Sequence, residues 1–325
     1  MPENKFKIVF LGTPEFAVPS LEILLKNNYE IAGVVTAPDQ PSGRGLQVTP
    51  SPVKKFAHQH NLKIFQPGKL KDEKFLSEIK NLNADLFIVV AFRMMPKELW
   101  KMPRLGTFNL HASLLPQYRG AAPINRAIMN GEKETGVTTF FLKHEVDTGN
   151  ILFREKISIR ENETAGELHD KLKLIGAELV LKTVKAIEAN NFKEVPQSEL
   201  AEENEQLKTA PKIFKEDGKI NWNQNVEVIH NQIRGLSPYP GAFTEIISPD
   251  QQTYLVKIFN CEKEISSILF SPGKIETDGK TFLKIAGTNG FIKILELQLQ
   301  GKKKLFAEEF LRGFKISNGW TVAKP

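Results

Sequence analysis

The sequence has a single cysteine, Cys261, among its 325 residues. One cysteine can form neither an internal disulfide nor a cysteine-rich zinc site, so we expect a reducing compartment. No apolar run approaches the ~18 residues that a membrane-spanning helix needs. The apolar stretch at 8–11 is too short for the ~7–15-residue core of a signal peptide. These absences predict a cytoplasmic protein that does not cross a membrane.

Several ligand-binding motifs are missing as well. The first strand–turn lacks two glycines of the dinucleotide fingerprint, because Pro14 and Ala17 stand in their places, so we exclude NAD. The chain has no phosphate-loop lysine motif and no Gly-x-Ser-x-Gly elbow. The triplet Asp-Thr-Gly at Asp147 occurs once, whereas an aspartic protease needs two carboxylates. His58 and His60 have no third ligand nearby, so we expect no metal site.

The first 189 residues alternate between strand and helix patterns. Thr13 is expected to cap the first helix, and Thr164 with Glu167 forms a capping box for a long helix ending near Ala189. Such alternation predicts an α/β fold with a Rossmann-like open sheet. The strands are predicted at 6–11, 31–35, 85–92, 137–143 and 151–159, and a further helix at 70–82.

The composition changes after Asn190. Residues 190–206 are acidic and lack periodicity, which predicts a linker between a catalytic domain over 1–189 and a second domain over 207–325. Five short β-rich runs in the second domain favour a smaller C-terminal β-barrel of the oligonucleotide-binding kind, with a β-sandwich fragment as the alternative. These runs cover 242–247, 253–260, 273–276, 281–286 and 290–299.

Positive charge is denser in the second domain, which has the same excess of five positive charges as residues 1–189 but on a shorter segment. It carries 17 Lys and Arg against 12 Asp and Glu, in a chain whose net charge is +6. Lys302, Lys303 and Lys304 form a run within it. A basic module is the electrostatic pattern expected for nucleic acid, although a merely solvated surface would have the same composition.

One group of polar residues has a spacing suited to catalysis. Asn109 and His111 are two positions apart on a predicted strand, so their side chains share a face. An amide can hold a carbonyl oxygen and an imidazole can move a proton. Asp147 lies in a turn between strands, from which it could reach the same crevice. The alternative is a histidine satisfied by an internal hydrogen bond.

The loop over 38–52 is long for a compact domain, and such loops are usually functional or disordered. It contains four prolines, and Arg44 lies between Gly43 and Gly45. An exposed arginine of this kind is available for contacts with phosphates or bases.

These motifs together resemble a known family. Residues 109–116 read Asn-Leu-His-Ala-Ser-Leu-Leu-Pro, Arg119-Gly-Ala-Ala-Pro follows, and Asp147-Thr-Gly comes later. This set resembles the 10-formyltetrahydrofolate-dependent formyltransferases. The fuller resemblance, through Phe-Leu-Gly-Thr-Pro-Glu-Phe-Ala at 10–17, the Arg44 loop and Ala-Pro-Lys-Ile at 210–213, is to the family that acts on methionyl-tRNA. It extends over nearly the whole chain.

The resemblance implies roles for individual residues. Asn109 would donate a hydrogen bond to the formyl oxygen, and His111 would stabilise the tetrahedral intermediate and assist proton movement. Asp147 would orient or charge His111 and help withdraw the proton from the attacking amine. The donor would be 10-formyltetrahydrofolate and the acceptor methionyl initiator tRNA, with no metal and with a monomeric enzyme. The folate pocket is implied at Ser113, Leu114, Leu115 and Pro116, and tRNA contacts at Arg44, Lys212, Lys302, Lys303 and Lys304.

Two other interpretations stay open at this point. A folate-dependent formyltransferase acting on a small amine, such as an amino sugar, would share the Asn109, His111 and Asp147 set but would not need Arg44 or a basic barrel. A non-catalytic RNA-binding protein with an inactive α/β domain is the second alternative, and the intact polar set argues against it.

Overall fold

The computed structural model describes residues 6–42, 47–200, 206–266, 270–317 and 319–323. The chain divides into two compact units. Unit 1 consists of Met1–Gly120, Thr135–Ile157 and His169–Thr209, and unit 2 of Ala121–Glu134, Ser158–Leu168 and Ala210–Pro325. Within the described ranges, no helix is both long and apolar enough to cross a membrane.

The helices and strands have the following bounds. The helices are α1 (Val18–Lys26), α2 (Pro52–Gln59), α3 (Glu73–Lys80), α4 (Lys97–Trp100), α5 (Pro123–Met129), α6 (Ala165–Glu188), α7 (Val226–Gly235) and α8 (Ala307–Gly313). The strands up to residue 158 are β1 (Lys7–Gly12), β2 (Glu30–Val35), β3 (Gln40–Ser42), β4 (Gln47–Thr49), β5 (Ile64–Phe65), β6 (Leu86–Val90), β7 (Thr107–His111), β8 (Arg119–Gly120), β9 (Glu134–Phe141) and β10 (Ile151–Ser158). The later strands are β11 (Thr209–Ala210), β12 (Ala242–Ile247), β13 (Thr253–Ile265), β14 (Ile275–Thr277), β15 (Leu283–Ala286), β16 (Gly290–Leu299), β17 (Leu305–Phe306) and β18 (Thr321–Val322).

Unit 1 is built on a seven-stranded sheet in the order β10-β9-β7-β6-β1-β2-β5. The strands from β7 through β6, β1 and β2 to β5 are parallel neighbours, and β9 joins β7 antiparallel. All five residues of β6 are buried, as expected of a parallel strand covered on both faces. This arrangement confirms the predicted Rossmann-like open sheet.

The two predicted helix caps have different outcomes. At Thr164 the backbone N–H and the hydroxyl both donate to Glu167, and the Glu167 N–H donates back to the Thr164 hydroxyl, so the capping box is confirmed. The cap at Thr13 is wrong, because a short 3-10 turn over Glu15–Ala17 intervenes and Ala17 precedes α1. The Thr13 hydroxyl instead accepts a hydrogen bond from the Ala37 N–H at 3.3 Å.

Unit 2 contains the predicted antiparallel barrel. Its strands follow the order β14-β15-β16-β13-β12-β18, with β17 beside β16. A bridge between Lys274 and Thr321 links the two ends of this order, so the sheet is nearly closed. The core combines α7 side chains such as Ile229 with inward-facing strand residues such as Ile258 and Ile292. The barrel prediction is confirmed, and the sandwich alternative is not needed.

The contacts group the chain differently from the predicted domain bounds. Unit 2 takes up Ala121–Glu134 and Ser158–Leu168, which precede the predicted linker at 190–206. The described part of that linker, 190–200 and 206, belongs to unit 1, as do residues 207–209. Whether 1–189 and 207–325 fold independently stays a prediction.

Candidate active site

His111 is the last residue of β7, and its side chain is almost completely buried. Its Nε2 atom lies 2.8 Å from the carbonyl oxygen of Tyr118. A carbonyl oxygen can only accept, so Nε2 must carry the hydrogen and donate it. The second ring nitrogen, Nδ1, therefore has its lone pair available when the ring is neutral.

Asp147 faces this second nitrogen. Its Oδ2 atom lies 3.8 Å from His111 Nδ1 and accepts a hydrogen bond from the Gly120 N–H at 3.0 Å. One short segment therefore holds both residues: the Tyr118 carbonyl oxygen accepts from His111, and the Gly120 N–H donates to Asp147. The structure thus brings together two residues that the sequence separates by 36 positions.

Asp147 has a backbone φ of +55°, a left-handed conformation that is uncommon for a residue with a side chain. The loop is also closed tightly at Gly149, where an added Cβ would overlap the carbonyl oxygen of Phe141. Only glycine fits so close an approach of backbone to backbone. Two positions of the Asp-Thr-Gly triplet are thus explained: Asp147 supplies the carboxylate, and Gly149 must lack a side chain.

Asn109 precedes His111 by two positions on β7, so both side chains leave the strand on one side. Asn109 is half-buried, and no residue in the described part of the chain hydrogen-bonds its side-chain amide. The amide N–H groups are therefore available to donate a hydrogen bond to an oxygen of a bound substrate. The structure places the polar pair at the carboxyl end of a parallel strand, where open α/β sheets bind ligands.

The four residues assigned to a folate pocket lie in a firmly held turn. Ser113 donates to the Gln117 carbonyl oxygen at 2.7 Å, and Thr138 donates to the Ser113 carbonyl oxygen at 2.7 Å. Ser113, Leu115 and Pro116 are buried, whereas Leu114 is half-exposed. Of the four, Leu114 therefore offers the most surface to a ligand, and the assignment of this turn to folate stays a prediction.

Of the residues assigned to tRNA, the structure describes the lysines but not Arg44. Arg44 lies outside the described residues, and the nearby Asp39 is anchored by Lys54 Nζ at 2.5 Å and by the Gln66 amide at 2.8 Å. These two hydrogen bonds lower the pKa of the Asp39 carboxyl. One side of the Arg44 loop is therefore tied to unit 1.

The four predicted lysine contacts are exposed on unit 2. Lys212 Nζ lies 5.7 Å from the centre of the Phe214 ring, and Lys304 Nζ donates to Glu296 Oε2 at 2.7 Å. Lys302 and Lys303 lie on the turn that follows β16. Their assignment to tRNA stays a prediction.

Gln197 contacts the site although the sequence interpretation missed it. It lies in the predicted linker, yet only 5% of its surface is exposed. Its amide donates to the carbonyl oxygens of Asp147 and Gly149. The local composition is acidic and polar, and no spacing rule marks a single buried glutamine, so the sequence carried no usable signal for it.

The described residues contain no group of three or more His, Cys, Asp or Glu side chains placed to hold a metal ion. The chemistry that these residues can perform is hydrogen-bond donation to a developing oxyanion and proton transfer at a histidine.

Family models for formyl transferases match both parts of the chain. The formyl transferase model matches residues 6–184, and the formyl transferase C-terminal domain model matches residues 212–315. The methionyl-tRNA formyltransferase of Bacteroides fragilis is 51% identical over 322 residues, which are 99% of each chain. That of Bacteroides thetaiotaomicron is 49% identical over 322 residues, covering 99% of this chain and 100% of the other.

Solved structures share the fold at lower identity. An N-formyltransferase from Helicobacter canadensis, in complex with folinic acid and dTDP-3-aminofucose, has a TM-score of 0.65 and 23% identity, covering 93% of this chain and 100% of the other. HypX from Aquifex aeolicus, in complex with tetrahydrofolic acid, has a TM-score of 0.63 and 20% identity, covering 95% of this chain and 48% of the other. At these identities the likeness concerns the fold alone.

Proposed function

This chain belongs to the methionyl-tRNA formyltransferase family, and we propose that it transfers a formyl group from 10-formyltetrahydrofolate to the amino group of methionyl initiator tRNA. It is a formyl transferase, and over nearly its full length its sequence is about 50% identical to those of methionyl-tRNA formyltransferases. The observation that carries the proposal is the geometry around His111, with Nε2 bonded to Tyr118 and Nδ1 facing Asp147.

The donor set fits a formyl group. A bound 10-formyltetrahydrofolate supplies a formyl carbon attached to a nitrogen that can leave. The Asn109 amide can donate to the formyl oxygen, which gains negative charge as the amine attacks the carbon. A donor already in place stabilises that charge without reorganising solvent, which is typically the largest single contribution in acyl transfer.

His111 and Asp147 account for the proton. The attacking amine loses one proton when its new C–N bond forms, and the departing folate nitrogen gains one when its C–N bond breaks. His111 Nδ1 can take the first proton and return one to the leaving nitrogen. While the ring is charged, the Asp147 carboxylate attracts it across 3.8 Å. No proton is gained or lost by the enzyme over the cycle.

The positive charge of residues 207–325, with 17 Lys and Arg against 12 Asp and Glu, supports a polyanionic acceptor. We assign Lys212, Lys302, Lys303 and Lys304 to phosphate contacts, because lysines on an exposed surface attract a nucleic-acid backbone. Arg44 is assigned to the acceptor end of the tRNA. Translation initiation takes place in the cytoplasm, so we propose that the protein acts there. Asn109, His111 and Asp147 all belong to one unit of one chain, so a monomer suffices.

The test compares three acceptors at a fixed concentration of 10-formyltetrahydrofolate. Release of tetrahydrofolate is measured with methionyl initiator tRNA, with the same tRNA uncharged, and with a nucleotide-linked amino sugar. We expect turnover with methionyl initiator tRNA only. Turnover with the amino sugar and none with the charged tRNA would replace this proposal with the small-amine alternative.

A further inference from the structure

Gln197 joins the two segments that hold the His111–Asp147 pair. Its Nε2 atom donates to the carbonyl oxygen of Asp147 at 2.8 Å and to that of Gly149 at 2.9 Å. Its Oε1 atom accepts from Arg119, at 3.0 Å from Nε and 2.6 Å from Nη2. One buried amide is thus bonded to the loop that carries the carboxylate and to the residue between Tyr118 and Gly120.

The chain around Gln197 runs alongside the same loop. Val195 and Ile151 exchange two backbone hydrogen bonds, at 2.8 and 2.9 Å. The Asn150 amide donates to Glu194 Oε2 at 2.9 Å. Residues 194–197, called the strap below, therefore bind the Asp147 loop at three successive points. This explains why Gln197 is buried although the composition around it is that of a linker.

The Asp147 loop needs such support. A non-glycine residue with positive φ is strained and persists only where its surroundings hold it. Asp147 has a φ of +55°, and the carbonyl oxygen of that same residue is the one that Gln197 binds. Without the amide, the carbonyl oxygens of Asp147 and Gly149 would lose a buried donor, which is unfavourable.

We propose that Gln197 is a positioning residue for formyl transfer, which fixes Asp147 Oδ2 against His111 Nδ1 by bonding the Asp147 loop and Arg119 at once. This inference rests on the proposed function, since it assigns Gln197 a part in that reaction. The expected effect is on turnover, because misplacing a catalytic group by about 1 Å can cost about 10²-fold in rate. The hydrogen bonds of Gln197 go to Arg119 and to the backbone carbonyl oxygens of Asp147 and Gly149, not to the side chains assigned to catalysis.

The first experiment measures kcat and the KM for 10-formyltetrahydrofolate in wild type and in Gln197→Leu. We expect kcat to fall about 10–100-fold while the folate KM stays the same, because the residues assigned to folate are not altered. Gln197→Glu keeps the side-chain volume and the acceptor for Arg119, but it places an oxygen against two carbonyl oxygens. It should lose turnover as well, and it tests the missing donor even if the leucine variant does not fold.

Gln232→Leu is the matched control. The Gln232 amide likewise donates to two backbone carbonyl oxygens, those of Asp217 and Lys219, at 2.9 and 3.0 Å. It belongs to unit 2, whereas the residues assigned to catalysis belong to unit 1. Thermal unfolding of both leucine variants compares the structural cost of losing such a glutamine. We expect kcat of Gln232→Leu to match wild type.

A double-mutant cycle with Asp147→Asn separates positioning from general support of the fold. If Gln197 acts through Asp147, adding Gln197→Leu to Asp147→Asn should lower kcat little further. Losses that multiply, or wild-type turnover in both Gln197 variants, would overturn the inference. An inactive wild type would instead contradict the proposed function, so the two failures are distinguishable.

Discussion

His111 donates through Nε2 to the Tyr118 carbonyl oxygen at 2.8 Å, while its Nδ1 lies 3.8 Å from Asp147 Oδ2. The backbone therefore selects the tautomer, and the carboxylate faces the nitrogen that can take a proton. The Gly120 N–H holds that carboxylate at 3.0 Å. The Tyr118–Gly120 segment therefore contacts both members of the pair, the histidine through Tyr118 and the carboxylate through Gly120.

Asn109→Ala tests the oxyanion donor. We expect kcat to fall by roughly 10²–10³, the loss typical of one such donor, while folate affinity stays unchanged. Steady-state kinetics and a folate titration give both quantities. Asn27→Ala, which removes an exposed amide that donates to the Ile23 carbonyl oxygen, should have wild-type kinetics. Turnover near wild type in Asn109→Ala would remove this residue from the mechanism.

His111→Ala and Asp147→Ala test whether the two residues act as a unit. Each should reduce kcat severely, and the double variant should lose far less than the product of the two effects. His169 and Asp170 form a surface pair in unit 1 with Nδ1 and Oδ1 3.2 Å apart, and their alanine variants should leave turnover unaltered. Strictly multiplicative losses at His111 and Asp147 would count against the pairing.

His230 predicts a pH dependence of stability in unit 2. Burial, followed by the positive charges of Arg234 and Lys263, lowers the pKa of His230 to about 4, although Glu161 and the Cys261 backbone act in the opposite direction. The unfolded chain takes up this proton near its usual pKa of about 6.5. Between about 6.5 and 4 the unfolded state binds more protons, so this residue makes the free energy of unfolding fall as the pH falls.

Over the whole interval the effect is about 3 kcal/mol, of which about 2 kcal/mol falls between pH 7 and pH 5, and His230→Gln should remove it. Urea unfolding of both proteins at pH 7 and pH 5 measures the difference. His58→Gln replaces an exposed histidine and should keep the wild-type dependence. Parallel pH dependences for wild type and His230→Gln would contradict the assigned pKa.

Lys302, Lys303 and Lys304 test the tRNA surface. Replacing all three by glutamine should weaken tRNA binding and lower the slope of log affinity against log salt by about one for each phosphate that a lysine no longer neutralises. Lys304 should contribute least, since it is already paired with Glu296. Replacing the exposed Lys71, Lys74 and Lys80 of unit 1 removes the same charge elsewhere. If both triple variants bound tRNA equally weakly, the loss would come from the lower net charge of the protein and not from a specific surface.

The predicted elements that held are those specified by local chemistry. The all-buried strand β6 follows from its uninterrupted apolar run, and α6 begins at the Thr164–Glu167 capping box because both partners lie within one turn. Asn109 and His111 were predicted to share a face because the side-chain period of a strand is two. The predicted cap at Thr13 is wrong because a 3-10 turn over Glu15–Ala17 lies between Thr13 and the start of α1.

What the sequence did not predict depends on distant contacts. Gln197 is 50 positions from Asp147, and nothing in its local composition distinguishes a strap from a linker. The hydrogen bond from His111 Nε2 to the Tyr118 carbonyl oxygen depends on the turn between these residues, and the side-chain pattern alone does not specify that turn. The partition of 121–134 and 158–168 into unit 2 likewise arises from tertiary packing.

We propose that this chain formylates the methionine of a charged initiator tRNA through Asn109, His111 and Asp147. The most direct measurement is mass spectrometry of methionine released from that tRNA after incubation with 10-formyltetrahydrofolate and either wild type or Asp147→Asn. We expect formylmethionine with wild type and a severe loss of it with the variant. Unmodified methionine with wild type, or equal formylation by both proteins, would contradict it.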